Sequence, residues 1–197
     1  MYHSSFGEYK VEIINENDYV VGSADNRFVY ELTYQHPEDI DYAATSTYGI
    51  KVYKNAIFKT AAILATGGAT AITSDSALID GPKLLLTCCN KVFCLELPEL
   101  KLNWVLKADF ATCFSIYKYK DDFVIHGETE ITRLDQSGKI IWRVGARDIF
   151  VNTEHHGPTF KMHDDYIALM DWQGFRYKLS YDGIIADDGV ASVRKIC

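Results

Sequence analysis

Several absent features narrow the class of this 197-residue protein before any motif is considered. The chain contains only four prolines, which argues against disorder. Its longest stretch of low charge, residues 60–74, is interrupted by Gly67 and Gly68 and is too short to span a bilayer. The first residues lack a basic segment followed by an apolar one, so we expect no signal peptide. A folded protein with no membrane partner is the expectation.

Disulfide bonds are not indicated either. The chain has five cysteines, an odd number whose spacing matches no disulfide framework: Cys88, Cys89, Cys94, Cys113 and Cys197. The first four lie in apolar, strand-like sequence, where a free cysteine behaves as a small hydrophobic side chain. We interpret the cysteines as reduced thiols, which predicts a cytoplasmic location.

Positive charge is scarce and scattered along the chain. Twenty Lys and Arg residues face 27 Asp and Glu residues, which gives a formal net charge of −7. A protein that binds a nucleic acid backbone normally shows a basic stripe, whereas these cations are interleaved with acidic residues. The charge pattern therefore excludes nucleic acid from the expected partners.

The sequence holds no complete catalytic motif. There is no Gly-x-Ser-x-Gly nucleophile elbow. Residues 126–128 read His-Gly-Glu, but the Pro-Cys-x-x-Cys segment that completes a zinc deaminase site is missing. Gly67 and Gly68 precede strand-like sequence rather than the helix that a phosphate-binding loop requires. An enzymatic function is therefore uncertain and disfavoured, and we expect no catalytic residue and no cofactor.

Metal sites are equally incomplete. Cys88, Cys89 and Cys94 lack the second cysteine pair of a structural zinc site. His155 and His156 are adjacent and precede a Gly-Pro pair, which indicates a loop, but no third ligand lies at a standard spacing. We expect no bound metal, with the cysteines in the core and the histidines in a solvated loop.

What the sequence does contain is one layout that occurs three times. Residues 84–107, residues 123–147 and, more faintly, residues 166–188 each hold an apolar strand, a break, a second strand, a turn and a third strand. Trp104 and Trp142 occupy the same position in the first two copies. A period of about 40 residues is typical of stacked β units or propeller blades.

This layout predicts an all-β fold of repeated four-stranded antiparallel units, forming a small or incomplete β-propeller. Turn sequences at residues 81–82, 121–122 and 164–165 precede the copies, so one strand lies before each turn and three follow it. The predicted single domain spans residues 1–197. It divides into a degenerate N-terminal part, residues 8–60, and about three clear repeats in residues 61–197.

The N-terminal part predicts less regular structure. Residues 10–14 alternate between polar and apolar side chains and indicate a strand. Residues 19–22 and 28–32 flank a turn sequence, which predicts a hairpin. Residues 36–44, with Pro37 near their start, are the best candidate for a helix, and the short segment allows two turns, one turn or no helix at all.

Residues 134–142, which read Leu-Asp-x-x-Gly-Lys-x-x-Trp, resemble the blades of quinoprotein-alcohol-dehydrogenase-like β-propellers, of the WD or PQQ type. Residues 95–104 are a looser version with proline in the turn, and residues 179–185 keep the turn but lack the tryptophan. The resemblance implies that each tryptophan packs between neighbouring blades. No quinone-site pattern is present, so the cofactor of the enzyme members is not carried over.

A charged step follows each tryptophan strand. If the copies superpose, these steps lie on one rim of the array, and loops on one face of a repeat protein commonly form its binding face. The alternative is that they are ordinary charges between strands. The predicted binding residues are Lys107, Asp109, Arg143, Arg147, Asp148 and the loop histidines His155 and His156.

The expected function is non-catalytic binding, with another protein as the partner. A sharper hypothesis is an immunity-like protein that masks a basic toxin or effector, because an acidic surface complements a basic one. The alternative is a hydrolase or lyase that acts on a sugar or small molecule in a central propeller cavity. That activity would require carboxylates to converge, and the candidates are Glu96, Glu128 and Asp135.

Overall fold

The computed structural model describes residues 1–151 and 157–187, and these residues form four β-sheets. The predicted all-β fold of repeated antiparallel sheets is confirmed. No helix among the described residues is long and apolar enough to cross a membrane. The assignment of residues 1–197 to one domain stays a prediction.

The first sheet, sheet I, has five strands. In chain order they are β1 (Tyr2–Phe6), β2 (Tyr9–Asn15), β3 (Leu32–Gln35), β4 (Ser46–Tyr53) and β5 (Ile57–Ala65). In space the order is β1-β2-β4-β5-β3, and β3 pairs with β5 in parallel while the other pairs are antiparallel. Sheet I is therefore the irregular member of the array, as the N-terminal sequence indicates.

The other three sheets are antiparallel meanders of four consecutive strands, with the strand before each turn and the three after it in one sheet. Sheet II contains β6 (Ala77–Asp80), β7 (Lys83–Cys88), β8 (Lys91–Glu96) and β9 (Lys101–Lys107). Sheet III contains β10 (Cys113–Tyr119), β11 (Asp122–Gly127), β12 (Glu130–Leu134) and β13 (Ile140–Gly145). Sheet IV contains β14 (Phe160–Met162), β15 (Tyr166–Met170), β16 (Arg176–Ser180) and β17 (Ile185–Asp187).

The burial pattern of a strand shows whether its sheet is covered on both faces or on one. Strand β7 is buried at every residue after Lys83, because sheet II packs against sheet I on one face and sheet III on the other. Leu84 and Leu86 contribute to the first interface, whereas Leu85 contributes to the second. In β16, buried and exposed residues alternate, which is the pattern of a sheet with one covered face.

Three hydrophobic clusters join successive sheets: I to II, II to III and III to IV. Among the described residues, no such cluster joins sheet IV to sheet I. The described parts of the four sheets therefore form a stack in which sheets I and IV are terminal and share no hydrophobic cluster.

The hairpin predicted over residues 19–32 is wrong. Only β3 begins there, and residues 16–31 form an irregular segment across the outer face of sheet I, which we call the cover segment. Tyr30 is buried against Ala62 and Leu64, and its hydroxyl donates to Glu16 Oε1 at 2.6 Å. Packing of side chains on the sheet, rather than strand pairing, organises this segment.

The helix predicted within residues 36–44 is reduced to a single 3-10 turn, Pro37–Asp39. His36 caps it by accepting a hydrogen bond from the Glu38 amide at Nδ1, 3.2 Å away. The helix does not continue, and the Asp39 carboxylate is buried against the next sheet.

Candidate binding surface at the loop end

One end of the stack carries the loops that connect successive sheets, and we call it the loop end. Backbone hydrogen bonds join these loops in series: Ala108 N donates to Asn90 O at 3.0 Å, and Phe150 N donates to Glu128 O at 2.6 Å. Another bond follows from Trp172 N to Ile149 O at 2.8 Å. Gly68 N, in the connection from sheet I to sheet II, donates to Ala111 O at 3.0 Å, so the loop end is held together across all three sheet interfaces. The opposite end, with the short turns after β6, β8, β10, β12, β14 and β16, is the turn end.

At each interface between sheets, a loop aspartate is bonded to the next sheet: Asp39 in the connection from β3 to β4, Asp109 between sheets II and III, and Asp148 between sheets III and IV. Asp39 reaches Lys91 at the start of β8, and Asp109 reaches the turn before β12. Asp148 Oδ2 accepts a hydrogen bond from Gln173 Nε2, in the turn before β16, at 3.0 Å. These carboxylates tie the loops together.

Asp109 is the most fully bonded of the three aspartates. Its Oδ1 accepts from the amides of Ala111 and Thr112 at 2.7 and 2.9 Å. Its Oδ2 accepts from the amide and hydroxyl of Thr129, both at 3.0 Å, and from the Glu130 amide at 2.9 Å. Only 1% of the residue is exposed, so the carboxylate lies beneath the loop surface and is occupied by its own chain.

Asp39 and Lys91 form a buried ion pair at the junction of sheets I and II. Lys91 Nζ lies 2.7 Å from Asp39 Oδ1, and both side chains are less than 5% exposed. Thr66 donates to the same carboxylate from its hydroxyl at 2.5 Å and its amide at 3.0 Å. Burial by itself would raise the pKa of Asp39, but the hydrogen bonds from Lys91 and Thr66 outweigh it and lower that pKa below its ordinary value.

The structure brings Lys107 and Arg143 together at the interface of sheets II and III. Arg143 Nη2 donates to the Lys107 carbonyl at 2.8 Å, and Arg143 Nε lies 3.2 Å from Glu130 Oε2. Burial raises the pKa of Glu130, and Arg143 opposes that shift. Arg143 is therefore engaged within the protein, whereas the Lys107 ammonium lies 5.4 Å from the ring centroid of the exposed Phe110.

Arg147 and Asp148 lie in the connection between sheets III and IV. The Arg147 guanidinium is 4.7 Å from the ring centroid of Phe175, in cation–π geometry. Arg147 is exposed, and Asp148 is half-buried. His155 and His156, the remaining predicted binding residues, lie outside the described residues.

The sequence prediction missed the aromatic side chains of the loop end. Phe110 is 78% exposed and Tyr42 is 67% exposed, and Trp172 and Phe175 are 41% and 40% exposed. All four lie in connections at this end of the stack. The available signal was an aromatic residue directly after a turn-forming aspartate, as at Phe110 in Asp-Phe-Ala-Thr.

A cavity of about 380 Å³ opens at the loop end between sheets I and II. Asp39, Lys91 and Asn90 line its floor, and Tyr42 and Lys107 lie at its rim. Asn90 Nδ2 donates to the Phe110 carbonyl at 3.0 Å, while its buried Oδ1 has no hydrogen-bond partner among the described residues. The cavity adds a concave feature beside the exposed aromatics.

The carboxylates proposed for a catalytic alternative do not converge. Glu128 precedes β12 at the loop end, whereas Asp135 follows β12 at the turn end, where Glu96 also lies. Asp135 Oδ1 accepts from the amides of Ser137 and Lys139 at 2.8 and 3.0 Å, which is a turn-capping role.

Four cysteines lie in the hydrophobic core. Cys88, Cys89, Cys94 and Cys113 are free and buried, as predicted for core thiols. Within residues 1–151 and 157–187, no group of three or more His, Cys, Asp and Glu side chains is arranged to hold a metal ion.

No family model matches the chain, and no curated protein matches it in sequence. Among solved structures, it is similar to the AfRom2 CNH domain at 12% identity and a TM-score of 0.44, over 79% of this chain and 48% of that one. It is similar to the computationally designed protein Ika8 at 9% identity and a TM-score of 0.46, over 76% and 48%. It is also similar to BamB from Moraxella catarrhalis at 13% identity and a TM-score of 0.40, over 76% of this chain and 58% of that one. The chain spans about half the length of these structures.

Proposed function

We propose that this chain is a non-catalytic binding module whose loop end contacts a partner protein. The observation that carries the proposal is the exposure of Phe110, Tyr42, Trp172 and Phe175 at one end of the stack. Aromatic residues are enriched in protein interfaces because they bury large areas with few rotatable bonds. Here they project from loops that hydrogen-bond to one another, so binding would cost little further conformational entropy of the loops.

The cations of the same surface suit a partner with carboxylates at its rim. Lys107 and Arg147 each lie over an aromatic ring of the loop end, at 5.4 and 4.7 Å. A carboxylate that approached either ring would meet a positive charge beside an apolar surface. Asp109 is not part of this contact set, because its carboxylate is buried and fully bonded.

A separate form of the proposal makes the partner a basic toxin or effector that the chain masks in the cytoplasm, with the acidic residues of the chain, rather than Lys107 and Arg147, facing it. The net charge of −7 would attract a basic protein over a distance and accelerate its association. This form predicts that added salt slows association more than it speeds dissociation.

The test is affinity capture from the cells that produce the chain, with the wild type compared with Phe110→Ala and Trp172→Ala. A hot-spot aromatic contributes about 2 kcal/mol or more, so each variant should retain roughly one thirtieth or less of the affinity for the captured protein. Phe58→Ala is the matched control, because Phe58 is 46% exposed and lies at the turn end, at the start of β5. Equal capture by the wild type and both loop-end variants would refute the proposal.

A further inference from the structure

Sheet IV ends the stack, and no described residue of another sheet covers its outer face. Ile167, Leu169 and Leu179 point into the core shared with sheet III. The alternate residues of β15 and β16 point the other way: Ala168 is half-buried, and Lys178 is exposed. None of the hydrophobic clusters of the described residues includes this outer face.

The uncovered face is an apolar groove bordered by cations. Its cavity measures about 310 Å³, and Tyr166, Ala168 and Met170 are among the side chains that line it. The charged side chains that line it are all basic: Lys161, Arg176 and Lys178. Lys178 Nζ lies 5.3 Å from the Tyr166 ring centroid, and none of the three cations has a carboxylate within ion-pair distance among the described residues.

The other terminal sheet, sheet I, carries the complementary charge on its cover segment. The cover segment on sheet I encloses a cavity of about 410 Å³ lined by Glu16, Asp18 and Asp25, with Arg27 as the opposing cation. Asp18 and Asp25 are exposed. Val20 and Val21, also in the cover segment, are 61% and 57% exposed and supply apolar contact area.

The cover segment is held in a fixed shape around these side chains. Asn26 Oδ1 accepts from the Val20 amide at 3.0 Å, and Asn26 Nδ2 donates to the Val20 carbonyl at 2.6 Å. A preformed acidic and apolar surface thus lies on sheet I, and a basic groove lies on the outer face of sheet IV.

We propose that a second copy of this chain docks head to tail, with the outer face of sheet IV of one copy against the cover segment of the other. Carboxylates and apolar side chains would complement the basic, apolar groove, and the cover segment presents both. When each copy repeats a contact between two different surfaces, the copies either close into a ring or continue as an open filament. Two copies that closed the ring would bring all eight sheets into one array. This contact uses neither Phe110 nor Trp172, so it stands apart from partner binding at the loop end.

The test is sedimentation equilibrium of the wild type and two charge-reversed variants, Arg176→Glu/Lys178→Glu and Asp18→Lys/Asp25→Lys. Like charges that face one another across an interface cost several kcal/mol, so each variant alone should associate at least about tenfold more weakly than the wild type. An equimolar mixture of the two variants should restore association, because every contact in a mixed assembly then joins opposite charges.

Lys101→Glu/Lys139→Glu serves as the control, since both lysines are exposed and lie outside the groove. It should associate as the wild type does, and so should Phe110→Ala. A wild type that sediments as a monomer at every concentration would overturn the proposal. Association that the charge reversals do not weaken, or that their mixture does not restore, would overturn it as well.

Discussion

The indole nitrogen of Trp142 donates a hydrogen bond to the backbone carbonyl of Tyr181, 2.9 Å away in the next sheet. The Trp142 ring also lies against Gly183, where an added Cβ would come within 2.7 Å of its Cγ. Trp142 is in the last strand of sheet III, and Tyr181 and Gly183 are in the turn after β16 of sheet IV. A tryptophan on one sheet thus packs against the glycine turn of its neighbour.

Trp104 repeats this arrangement one interface earlier. It lies in the last strand of sheet II, and a Cβ at Gly138 in sheet III would come within 2.5 Å of its ring. The buried Trp104 Nε1 has no acceptor among the described residues. Gln136, at the position matching Tyr181, instead accepts at its carbonyl from Lys83 Nζ at 2.9 Å. The two tryptophans are equivalent in packing and differ in hydrogen bonding.

Substitution of the turn glycines should therefore destabilise the interfaces between sheets. Gly138 and Gly183 have φ values of +82° and +80°, and an added methyl group would collide with a tryptophan ring at each. We expect Gly138→Ala and Gly183→Ala to lower the free energy of unfolding by about 2 kcal/mol beyond the backbone cost of a left-handed alanine. Urea unfolding measured by tryptophan fluorescence gives the value.

Gly22→Ala isolates that backbone cost. Gly22 has a φ of +78°, nearly the same as the other two, and an added Cβ there would meet nothing within 4 Å. If all three variants lost the same stability, the contact between tryptophan and glycine would carry no steric constraint.

The repeating part of this fold was predictable because local signals agree there. The strands of sheets II to IV alternate with short turns, and the turn at Gly138 requires a left-handed backbone that glycine supplies. The equivalence of Trp104 and Trp142 followed from their matching positions in the copies. In sheet I, by contrast, β3 pairs with β5 in parallel, and a parallel pairing between distant segments leaves no local pattern.

Charge in a loop sequence does not by itself predict exposure at the loop end. Asp109 is acidic and lies in a loop, yet five hydrogen bonds from backbone and hydroxyl donors hold it inside the protein. Three of the five come from Thr129 and Glu130, about 20 residues further along the chain, so only tertiary structure reveals them. Phe110 is apolar and exposed, which is the reverse of the composition rule.

Acidification should weaken the structure through His126. The imidazole is buried, its Nε2 has no hydrogen-bond partner among the described residues, and it stacks on Phe160 at 4.8 Å between ring centroids. Burial lowers the pKa of His126 to about 4, although a hydrogen bond with the Phe150 backbone and the charge of Asp109 oppose this shift. The unfolded chain would take up the proton at its ordinary pKa of about 6.5.

Because the unfolded state binds this proton first, stability should fall as the pH decreases from about 6.5 to about 4, by about 3 kcal/mol in total. His126→Phe should remove this dependence, and unfolding free energies measured by urea titration at several pH values test it. Glu130, whose pKa is raised by burial, contributes an opposite slope that is the same in both proteins. His3→Gln, at an exposed site, is the control, and a His126→Phe protein with the wild-type pH profile would contradict the prediction.

The buried pair of Lys91 and Asp39 should be strongly coupled in stability. Lys91→Met would leave the Asp39 carboxylate buried beside Thr66 without its cation, and we expect a loss of about 3 to 5 kcal/mol. Asp39→Asn would leave the Lys91 ammonium buried without its anion. The double variant leaves neither charge, so it should lose clearly less stability than the sum of the single variants, with a coupling energy of about 2 kcal/mol.

The same cycle at Lys54 and Glu8, an ion pair whose side chains are 50% and 60% exposed, should give a coupling energy near zero. Equal coupling in the two cycles, measured by urea unfolding at neutral pH, would mean that burial does not strengthen the Lys91–Asp39 pair.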